Sequence, residues 1–458
     1  MNTACSSFRR ASRRDFLRIG GLGLCGLGAL DVISARQTAL AAAYQGIKLR
    51  APKAKQLLVV WMAGGPPHTD MFDMKPQSPS GYASPYKAIS TNVAGLQVCE
   101  HMPKLAKMAD KYCVIRSVTT MNKPGDHARA PMYWLTGNPR LPSGTDEYPM
   151  YGSVLSKLRP GPKDLPTFAV LNKIDHHIGN SIANSFLGPA QAPLIFDPLQ
   201  QKDDIAKMLK PQLELPSFER NADLLKALDR RLRTQDQLDP VIAGLDKHQQ
   251  AAFDMLRSPR LREALDLSKE TEATLQRYTA NDPAKIDYTN DGNSKHFLMA
   301  RRLIEAGVPV VHFSYGYWDW HGKNFSTGRR MIPKFDAAFS SLLEDLDQRG
   351  LLDTTIVLAL GEMGRKPKFD NGTDPGRDHW DYAQFAIAVG GGFRGGTVVG
   401  ETDKLGEQVT DKFYKVESFG ATLYHLMGID PETRLSTLNN RPVSLIAEPA
   451  PIIKEALA

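Results

Sequence analysis

The chain has 458 residues, of which 42% are hydrophobic and 23% charged, a composition that fits a globular protein and excludes a coiled coil, a collagen or a disordered chain. The formal net charge is +7, but residues 1–43 carry six arginines against two aspartates, which leaves about +3 for the rest of the chain. Because this small excess is scattered and forms no basic run, we expect no nucleic acid among the partners.

The first 43 residues have the three-part organisation of a signal peptide. Arg13 and Arg14 precede a short apolar run, Ile19–Leu30, and the small residues of Ala41–Ala43 offer a cleavage site. The arginine pair is typical of twin-arginine export, which predicts the twin-arginine translocase as a partner and a periplasmic or secreted mature protein. The run is too short and too rich in glycine to span about 30 Å of hydrocarbon, so we expect no stable membrane anchor.

From residue 44 onward, apolar runs predict the strands of a sheet. Gln56–Ala63 is almost entirely apolar and ends in glycines and prolines, as expected of a strand buried on both faces. The other runs of this kind are Tyr112–Val118, Thr167–Leu171, Val308–Phe313, Thr355–Leu360 and Phe385–Val389. Helical patterns at Pro103–Asp110, Ser294–Glu305 and Ile332–Arg349 separate several of them. This alternation predicts one α/β domain over residues 44–458, with a mostly parallel, doubly wound sheet and helices on both faces.

Residues 198–285 have a different character. They are rich in Lys, Asp, Glu, Gln, Leu and Arg, their apolar positions recur at helical spacing, and they contain no run typical of a strand. We interpret this stretch as a helical insertion of three or four helices, which include 217–237 and 240–256. It would form a subdomain or a lid over the carboxyl edge of the sheet.

Polar clusters lie beyond the predicted strand ends, where ligands bind in open α/β sheets. In chain order they contain His68, Asp70 and Asp73; Asp126 and His127; Asp319 and His321; Glu362 and Arg365; Asp378 and His379. Carboxylates and imidazoles brought to one edge suit a divalent cation such as zinc, manganese or calcium. One or two such ions would polarise a phosphoryl or sulfuryl oxygen and lower the pKa of a bound water. Arg365 would pair with the tetrahedral anion.

The motifs Gly64–Asp73, Trp318–His321, Gly361–Pro367 and Gly376–Trp380 resemble the signatures of the bacterial domain-of-unknown-function family 1501. The resemblance runs from about Lys55 to the C-terminus. That family is similar to a branch of the alkaline phosphatase and sulfatase superfamily, whose members are metal-dependent hydrolases of phosphate and sulfate esters. The resemblance therefore implies an alkaline-phosphatase-like fold and a metal-dependent ester hydrolase.

Carried over onto this sequence, the resemblance implies a set of metal ligands. Asp70 is the best match to the aspartate that follows the first strand, and Asp73 is the next. The other implied ligands are Asp319, His321, Glu362, which replaces the usual Asp-His pair, and His379 with Asp378 beside it.

The largest departure from the superfamily pattern concerns the nucleophile, a Cys or Ser at the start of a helix that ends in Leu-Thr-Gly. Counting back from Leu135–Gly137 leads to His127, with no Ser, Thr or Cys in register. One interpretation makes His127 a ligand or base, with Asp126 as the partner of its second ring nitrogen and a metal-bound water as the nucleophile. A second interpretation is a site that no longer hydrolyses esters, and a third makes His127 itself the nucleophile.

The sequence thus predicts an exported, metal-dependent hydrolase of sulfate or phosphate esters, acting on a small molecule or a polysaccharide. The competing hypothesis is a catalytically silent binding or assembly protein that has kept the fold. Trp318, Trp320 and Trp380 flank the candidate ligands, and they either belong to the core or stack on sugar rings.

Overall fold

The fold is known from a computed structural model of the chain, which describes residues 49–120, 126–139, 148–183, 185–200, 258–284, 292–437 and 441–458. The signal peptide, with Arg13 and Arg14, lies outside these residues, as do the helices expected at 217–237 and 240–256. Both remain predictions. Residues Leu49–Ala458 form one compact unit.

The strands form at the apolar, β-branched runs of the sequence. The first nine are β1 (Gln56–Trp61), β2 (Ala88–Ser90), β3 (Gln97–Cys99), β4 (Tyr112–Ile115), β5 (Val118–Thr119), β6 (Phe168–Leu171), β7 (Leu194–Phe196), β8 (Val310–Ser314) and β9 (Thr355–Leu360). The next nine are β10 (Gly364–Arg365), β11 (His379–Trp380), β12 (Ala386–Val389), β13 (Thr397–Val399), β14 (Glu401–Thr402), β15 (Val409–Asp411), β16 (Tyr414–Lys415), β17 (Arg434–Ser436) and β18 (Pro442–Ser444).

Eight strands form one sheet in the order β13-β4-β12-β9-β1-β8-β6-β7. Neighbouring strands are parallel except where β12 pairs with β4 and with β9. The expected α/β class with a mostly parallel sheet is therefore confirmed, and β12 is its one reversed strand within the described residues. Because β12 is reversed, its first residue lies at the edge where the other seven strands end.

The helices, in chain order, are α1 (Pro103–Ala106), α2 (Ala130–Thr136), α3 (Tyr151–Leu158), α4 (Pro259–Leu265), α5 (Glu272–Thr279), α6 (Lys295–Ala306), α7 (Asn324–Gln348) and α8 (Val416–Leu426). Ser258 and Thr271 cap α4 and α5, since their side chains accept the N–H of the third residue that follows. These two helices lie in the described part of the predicted insertion. No helix of the described residues is both long and apolar enough to cross a membrane.

Two predicted helices have different bounds in the structure. The first ends at Ala106, after one turn, and a separate 3-10 turn covers Ala109–Lys111. Helix α7 begins at Asn324 rather than Ile332 and continues through Pro333. An interior proline costs a helix about 3 kcal/mol, but here one face of α7 is buried in the core along the whole helix, and that burial outweighs the cost.

The core lies on both faces of the sheet. Leu58 and Val60 of β1 belong to a large apolar cluster with residues of α1, α6 and α7. Side chains alternate across a strand, so Val59 and Trp61 point to the opposite face, where α3 packs on β6 and β8. The sheet is buried on both sides, and its edge at the strand ends remains the place for polar side chains.

Candidate metal centre

The candidate site lies at the edge of the sheet where the parallel strands end. Asp319 and His321 follow β8, while Glu362 and Arg365 follow β9. His379 precedes β12, but because β12 is reversed its beginning lies at this same edge. The topology thus collects the motifs at the position where open α/β sheets bind ligands.

Three imidazoles and one carboxylate meet in what we call the first ligand group, His127, Asp319, His321 and His379. The Nε2 atoms of His127 and His321 lie 2.9 and 3.0 Å from Nε2 of His379. The same three nitrogens lie between 2.9 and 3.4 Å from Oδ1 of Asp319. Four ligand atoms arranged tetrahedrally around zinc at about 2.0 Å are about 3.3 Å apart, which agrees with these separations.

The facing nitrogens of the first ligand group test whether its residues fit a metal. A neutral imidazole has one N–H and one lone pair, and two lone pairs facing each other at 2.9 Å repel. A proton satisfies one pair of nitrogens, whereas one cation satisfies three nitrogens and the carboxylate oxygen together. Imidazole nitrogens with a carboxylate oxygen are a donor set that zinc takes in proteins. The residues therefore fit a divalent metal.

A second ligand group, His127, His177 and Glu362, shares His127 with the first. Nδ1 of His127 lies 2.7 Å from Oε1 of Glu362. The ring of His177 stacks on that of His127, with centroids 3.7 Å apart and planes inclined by 6°. Glu362 is fully buried, and its Oε2 has no hydrogen-bond partner among the described residues. Because an unpaired buried oxygen is costly, this group also offers a cation or a proton a binding position.

The protonation states of the two groups depend on each other. Burial lowers the pKa of His127, but hydrogen bonds to Asp319 and Glu362 outweigh it and raise this pKa to about 9. Burial raises the pKa of Asp319, but the hydrogen bonds it accepts, from His127 first, hold this pKa far below its usual range. At neutral pH the metal-free site therefore contains an ionised Asp319 and a protonated His127. A metal ion must displace that proton from the imidazole.

Arg365 holds the site together and does not face outward. Its Nε and Nη1 donate to the carbonyl oxygens of Gly65 and Arg377, at 3.0 and 3.1 Å. Its Nη2 donates to the carbonyl of Gly64 and to Oδ1 of Asp319. All three nitrogens are engaged and the side chain is buried. The guanidinium therefore orients Asp319, and the structure does not present it to a tetrahedral anion as the sequence analysis expects.

Gly64 is the backbone junction of the site. Its N–H donates to Oε1 of Glu362 at 2.7 Å, and its carbonyl accepts from Arg365. Its φ is +101°, and a Cβ atom there would lie 2.5 Å from the backbone nitrogen of Asp319. Only glycine can occupy this position without displacing Asp319.

Asp70 does not join either ligand group, although it follows β1 at the same edge. Its Oδ1 accepts from Arg377 at 2.8 Å, and its Oδ2 accepts from Arg377 at 2.8 Å and from Asn324 at 2.9 Å. Asp73, the second candidate, is also engaged, since its Oδ1 lies 3.3 Å from Nε of Arg116. An arginine thus pairs with each of these buried aspartates, and neither of them belongs to a ligand group.

Asp378 and His321 form the rim of the site. The side chain of Asp378 is exposed, with Oδ1 3.5 Å from Nδ1 of His321. The same oxygen accepts the backbone N–H of His379 at 2.8 Å. Asp378 thus contacts the outer side of a ligand histidine, and the first ligand group does not include it.

His127 lies just before α2, the helix that ends with Leu-Thr-Gly. Oδ1 of Asp126 accepts the N–H groups of Ala128 and Arg129 at 2.9 and 2.7 Å, so Asp126 stabilises the turn that leads into α2. Glu362, rather than Asp126, holds Nδ1 of His127. The prediction that Asp126 pairs with the second ring nitrogen of His127 is therefore wrong, because Asp126 accepts backbone N–H groups instead.

His177 is a member of the second ligand group that the motifs of the sequence do not predict. It lies on the loop after β6, and β6 ends at the same edge as β8 and β9. Asp175 positions it: Oδ1 accepts the N–H of His177 at 2.7 Å, and Oδ2 accepts the indole N–H of Trp61 at 2.8 Å. The sequence carries a signal for it, because the His176-His177 pair lies in the loop that follows the predicted strand Thr167–Leu171.

Tyr317 is the second residue that the sequence analysis left without a role. Its hydroxyl lies 3.0 Å from Oδ2 of Asp319 and 3.1 Å from Nε2 of His177. Burial and the neighbouring Asp319 raise its pKa to about 12, so the hydroxyl keeps its proton. No sequence pattern separates this tyrosine from one in the core.

The three tryptophans have different environments. Trp318 and Trp320 are buried and stack on each other, with centroids 5.0 Å apart. Trp380 is partly exposed, and its indole N–H donates to the carbonyl of Glu407 at 2.6 Å. Neighbouring residues of a strand point to opposite sides, so Trp380 points away from the side that His379 faces. Trp318 and Trp320, in contrast, are core residues because both are buried.

Comparison with known proteins gives one family. The family model described as "Protein of unknown function (DUF1501)" matches residues 54–457, which is most of the chain. No curated protein sequence matches this chain. The structural comparisons concern proteins of low identity.

Three similar solved structures are hydrolases by their names. The PsFucS1 sulfatase from Pseudoalteromonas sp. is 12% identical over 87% of this chain and 71% of that chain, with a TM-score of 0.33. The phosphonate monoester hydrolase of Agrobacterium radiobacter is 13% identical over 84% and 75%, with a TM-score of 0.32. A variant of TAB5 alkaline phosphatase with Mg bound is 11% identical over 84% and 100%, with a TM-score of 0.37. At such low values the likeness carries nothing about activity.

Proposed function

This chain belongs to the DUF1501 family of proteins of unknown function, and we propose that it is an exported, metal-dependent hydrolase of sulfate or phosphate esters. One observation carries the proposal: Nε2 atoms of three imidazoles each lie within 3.4 Å of Oδ1 of Asp319, and all four atoms lie within 4.8 Å of one another. Export rests on the leader with Arg13 and Arg14, and it implies the twin-arginine translocase as a partner and a periplasmic or secreted protein.

The first ligand group favours zinc or manganese as the metal. Imidazoles suit both ions, whereas calcium prefers six to eight oxygen ligands. A bound ion would polarise an ester oxygen and lower the pKa of a water molecule. The second ligand group would take a second ion or a proton, since Oε2 of Glu362 lacks a partner among the described residues.

The chain's own residues bear on the identity of the nucleophile. Both ring nitrogens of His127 are engaged, Nδ1 with Glu362 and Nε2 with His379. His127 therefore has no free nitrogen with which to attack a substrate, and we propose water as the nucleophile. Glu362, whose Oε2 has no hydrogen-bond partner among the described residues, would take its proton. Trp380 is partly exposed but points away from the side that His379 faces, so it does not favour sugar esters over other esters.

A second candidate function is a catalytically silent protein that binds a metal or a carbohydrate or serves in assembly. Two observations favour it: the position of the superfamily nucleophile holds His127, and every nitrogen of Arg365 is engaged within the protein. Such a protein would keep the ligand groups and turn over no ester.

The decisive experiment is a metal analysis of the purified mature protein, followed by a screen with chromogenic phosphate and sulfate esters. We expect at least one tightly bound zinc or manganese and measurable turnover of one ester class. His127→Ala should lower that turnover by about a hundredfold or more, as for the loss of a general base or ligand. His425→Ala, a histidine of α8, is the matched control and should leave turnover unchanged. Bound metal without turnover of any ester would support the silent protein, and a protein without affinity for metal would contradict the metal-dependent hydrolase.

A further inference from the structure

The two oxygens of Asp319 have different neighbours. Oδ1 faces the three imidazole nitrogens of the first ligand group. Oδ2 points away from them and lies 3.0 Å from the hydroxyl of Tyr317 and 3.7 Å from Nε2 of His177. One oxygen of this carboxylate is thus directed to the ligand position, and the other is held by a phenol.

The hydroxyl of Tyr317 has one proton, and its two neighbours decide where that proton goes. An ionised carboxylate can only accept hydrogen bonds, so the hydroxyl donates to Oδ2 of Asp319. Nε2 of His177, 3.1 Å from the same hydroxyl oxygen, must then donate to it. A neutral His177 with its proton on Nε2 has its lone pair on Nδ1.

We propose that Tyr317 is a positioning residue for both ligand groups: its hydroxyl keeps Asp319 a one-oxygen ligand and fixes the tautomer of His177 that binds metal through Nδ1. The proposal rests on the metal site of the proposed function. A ligating imidazole usually donates its second N–H to a neighbouring acceptor, and such partners orient the ligand and raise its basicity. Here that acceptor is the Tyr317 oxygen, and the same hydroxyl serves the carboxylate.

The backbone of Tyr317 is held independently of its hydroxyl. Its carbonyl accepts the indole N–H of Trp320 at 2.7 Å. Its ring lies against the imidazoles of His176 and His177, with both centroids at 5.3 Å. Phenylalanine keeps the ring and the backbone contacts, so Tyr317→Phe removes one oxygen atom and leaves the turn in place.

The test is the zinc affinity of Tyr317→Phe, measured by competition with a chromophoric chelator. We expect affinity to fall by about 10- to 100-fold, the usual effect of losing a group that supports metal ligands. Tyr414→Phe is the matched control, because it also removes a phenol hydroxyl bonded to a carboxylate, Glu455, at 2.8 Å, but away from the site. The control should bind zinc as the wild type does, and both metal-free variants should melt at the wild-type temperature.

A second measurement reads the tautomer directly. In metal-free protein with 15N-labelled histidine, the His177 signals, assigned with His177→Gln, should show the proton on Nε2, and Tyr317→Phe should shift it toward a mixture. Zinc affinity of Tyr317→Phe within twofold of the wild type would overturn the inference and leave the proposed function standing. A wild type that binds no zinc or manganese would overturn both. A wild-type His177 protonated on Nδ1 would overturn the tautomer.

Discussion

Asp70 and Asp319 are two aspartates that follow parallel strands at one edge of one sheet, and the protein treats them in opposite ways. Asp70 is fully buried, and both of its oxygens accept from Arg377. Asp319 is met by three imidazoles, and a single oxygen of it is bonded to Arg365. The negative charge of Asp70 is thus balanced by the permanent positive charge of Arg377. The negative charge of Asp319 is balanced largely by imidazoles, which can lose a proton and bind a metal ion instead. A strand-end aspartate becomes a candidate ligand only where the fold surrounds it with groups of that kind.

The largest effect on the free energy of unfolding is expected from replacing Arg377. Arg377→Met leaves the Asp70 carboxylate buried and unpaired, and removes the guanidinium that lies against Phe325 and Phe369. We expect the free energy of unfolding to fall by about 3–5 kcal/mol, measured by urea denaturation of the metal-free protein. Arg377→Met combined with Asp70→Asn should recover much of the loss, because no charge is then left unpaired. A loss below about 1 kcal/mol would contradict a closed ion pair at Asp70.

The first ligand group should behave in the opposite way, gaining stability from an added ion. Zinc at a hundred times its dissociation constant should raise the free energy of unfolding of the wild type by about 2.7 kcal/mol, and a chelator should reverse the gain. His379→Ala should lose this gain and keep the stability of the metal-free protein, while His425→Ala should keep both. If His379→Ala destabilised the metal-free protein as much as Arg377→Met does, the two regions would not differ as described.

The smallest effect is expected at the amide that completes the Asp70 site. Asn324→Ala removes one hydrogen bond to the carboxylate, at 2.9 Å, and leaves the two from Arg377. A hydrogen bond to a charged group contributes about 1.5–3 kcal/mol, and we expect the lower end, since the arginine remains. Ser326→Ala, in the same turn of α7, is the control and should change stability by less than about 0.5 kcal/mol. Unlike Tyr317→Phe, Asn324→Ala should leave zinc affinity unchanged, which calorimetric titration would check.

The strands and the edge at which the motifs meet could be predicted from the sequence because both follow from local patterns. The predicted strand Thr355–Leu360 has the same bounds in the structure, and the motif that follows it leads directly to the site. The reversal of β12 could not be predicted, because a continuous apolar run has the same pattern in both directions. His379 lies beside the other ligands only because β12 is antiparallel to its neighbours, and the sequence pattern does not indicate the direction of that strand.

The partners of the candidate residues were the part that could not be predicted. Asp70 pairs with Arg377, which is 307 positions away in the chain, and nothing local distinguishes it from Asp319. The partners of Arg365 could not be predicted either, because its guanidinium donates to backbone carbonyls of Gly65 and Arg377 that no local pattern indicates. His177 is a different case, because the His-His pair after β6 lies beyond a predicted strand end, as the other site motifs do, and is therefore open to prediction from the sequence.

The junction at Gly64 has a consequence for anyone who would rebuild this site in another protein. One residue there donates its N–H to Glu362 and accepts at its carbonyl from Arg365, and its missing side chain leaves room for the backbone of Asp319. A scaffold that carried the same imidazoles and carboxylates on its own loops would lack the contacts that Gly64 makes with Glu362, Arg365 and Asp319. Grafting therefore requires the loops after β1, β8 and β9 to be transferred together with their backbones. The ligand side chains transferred alone would lack the backbone contacts that orient them.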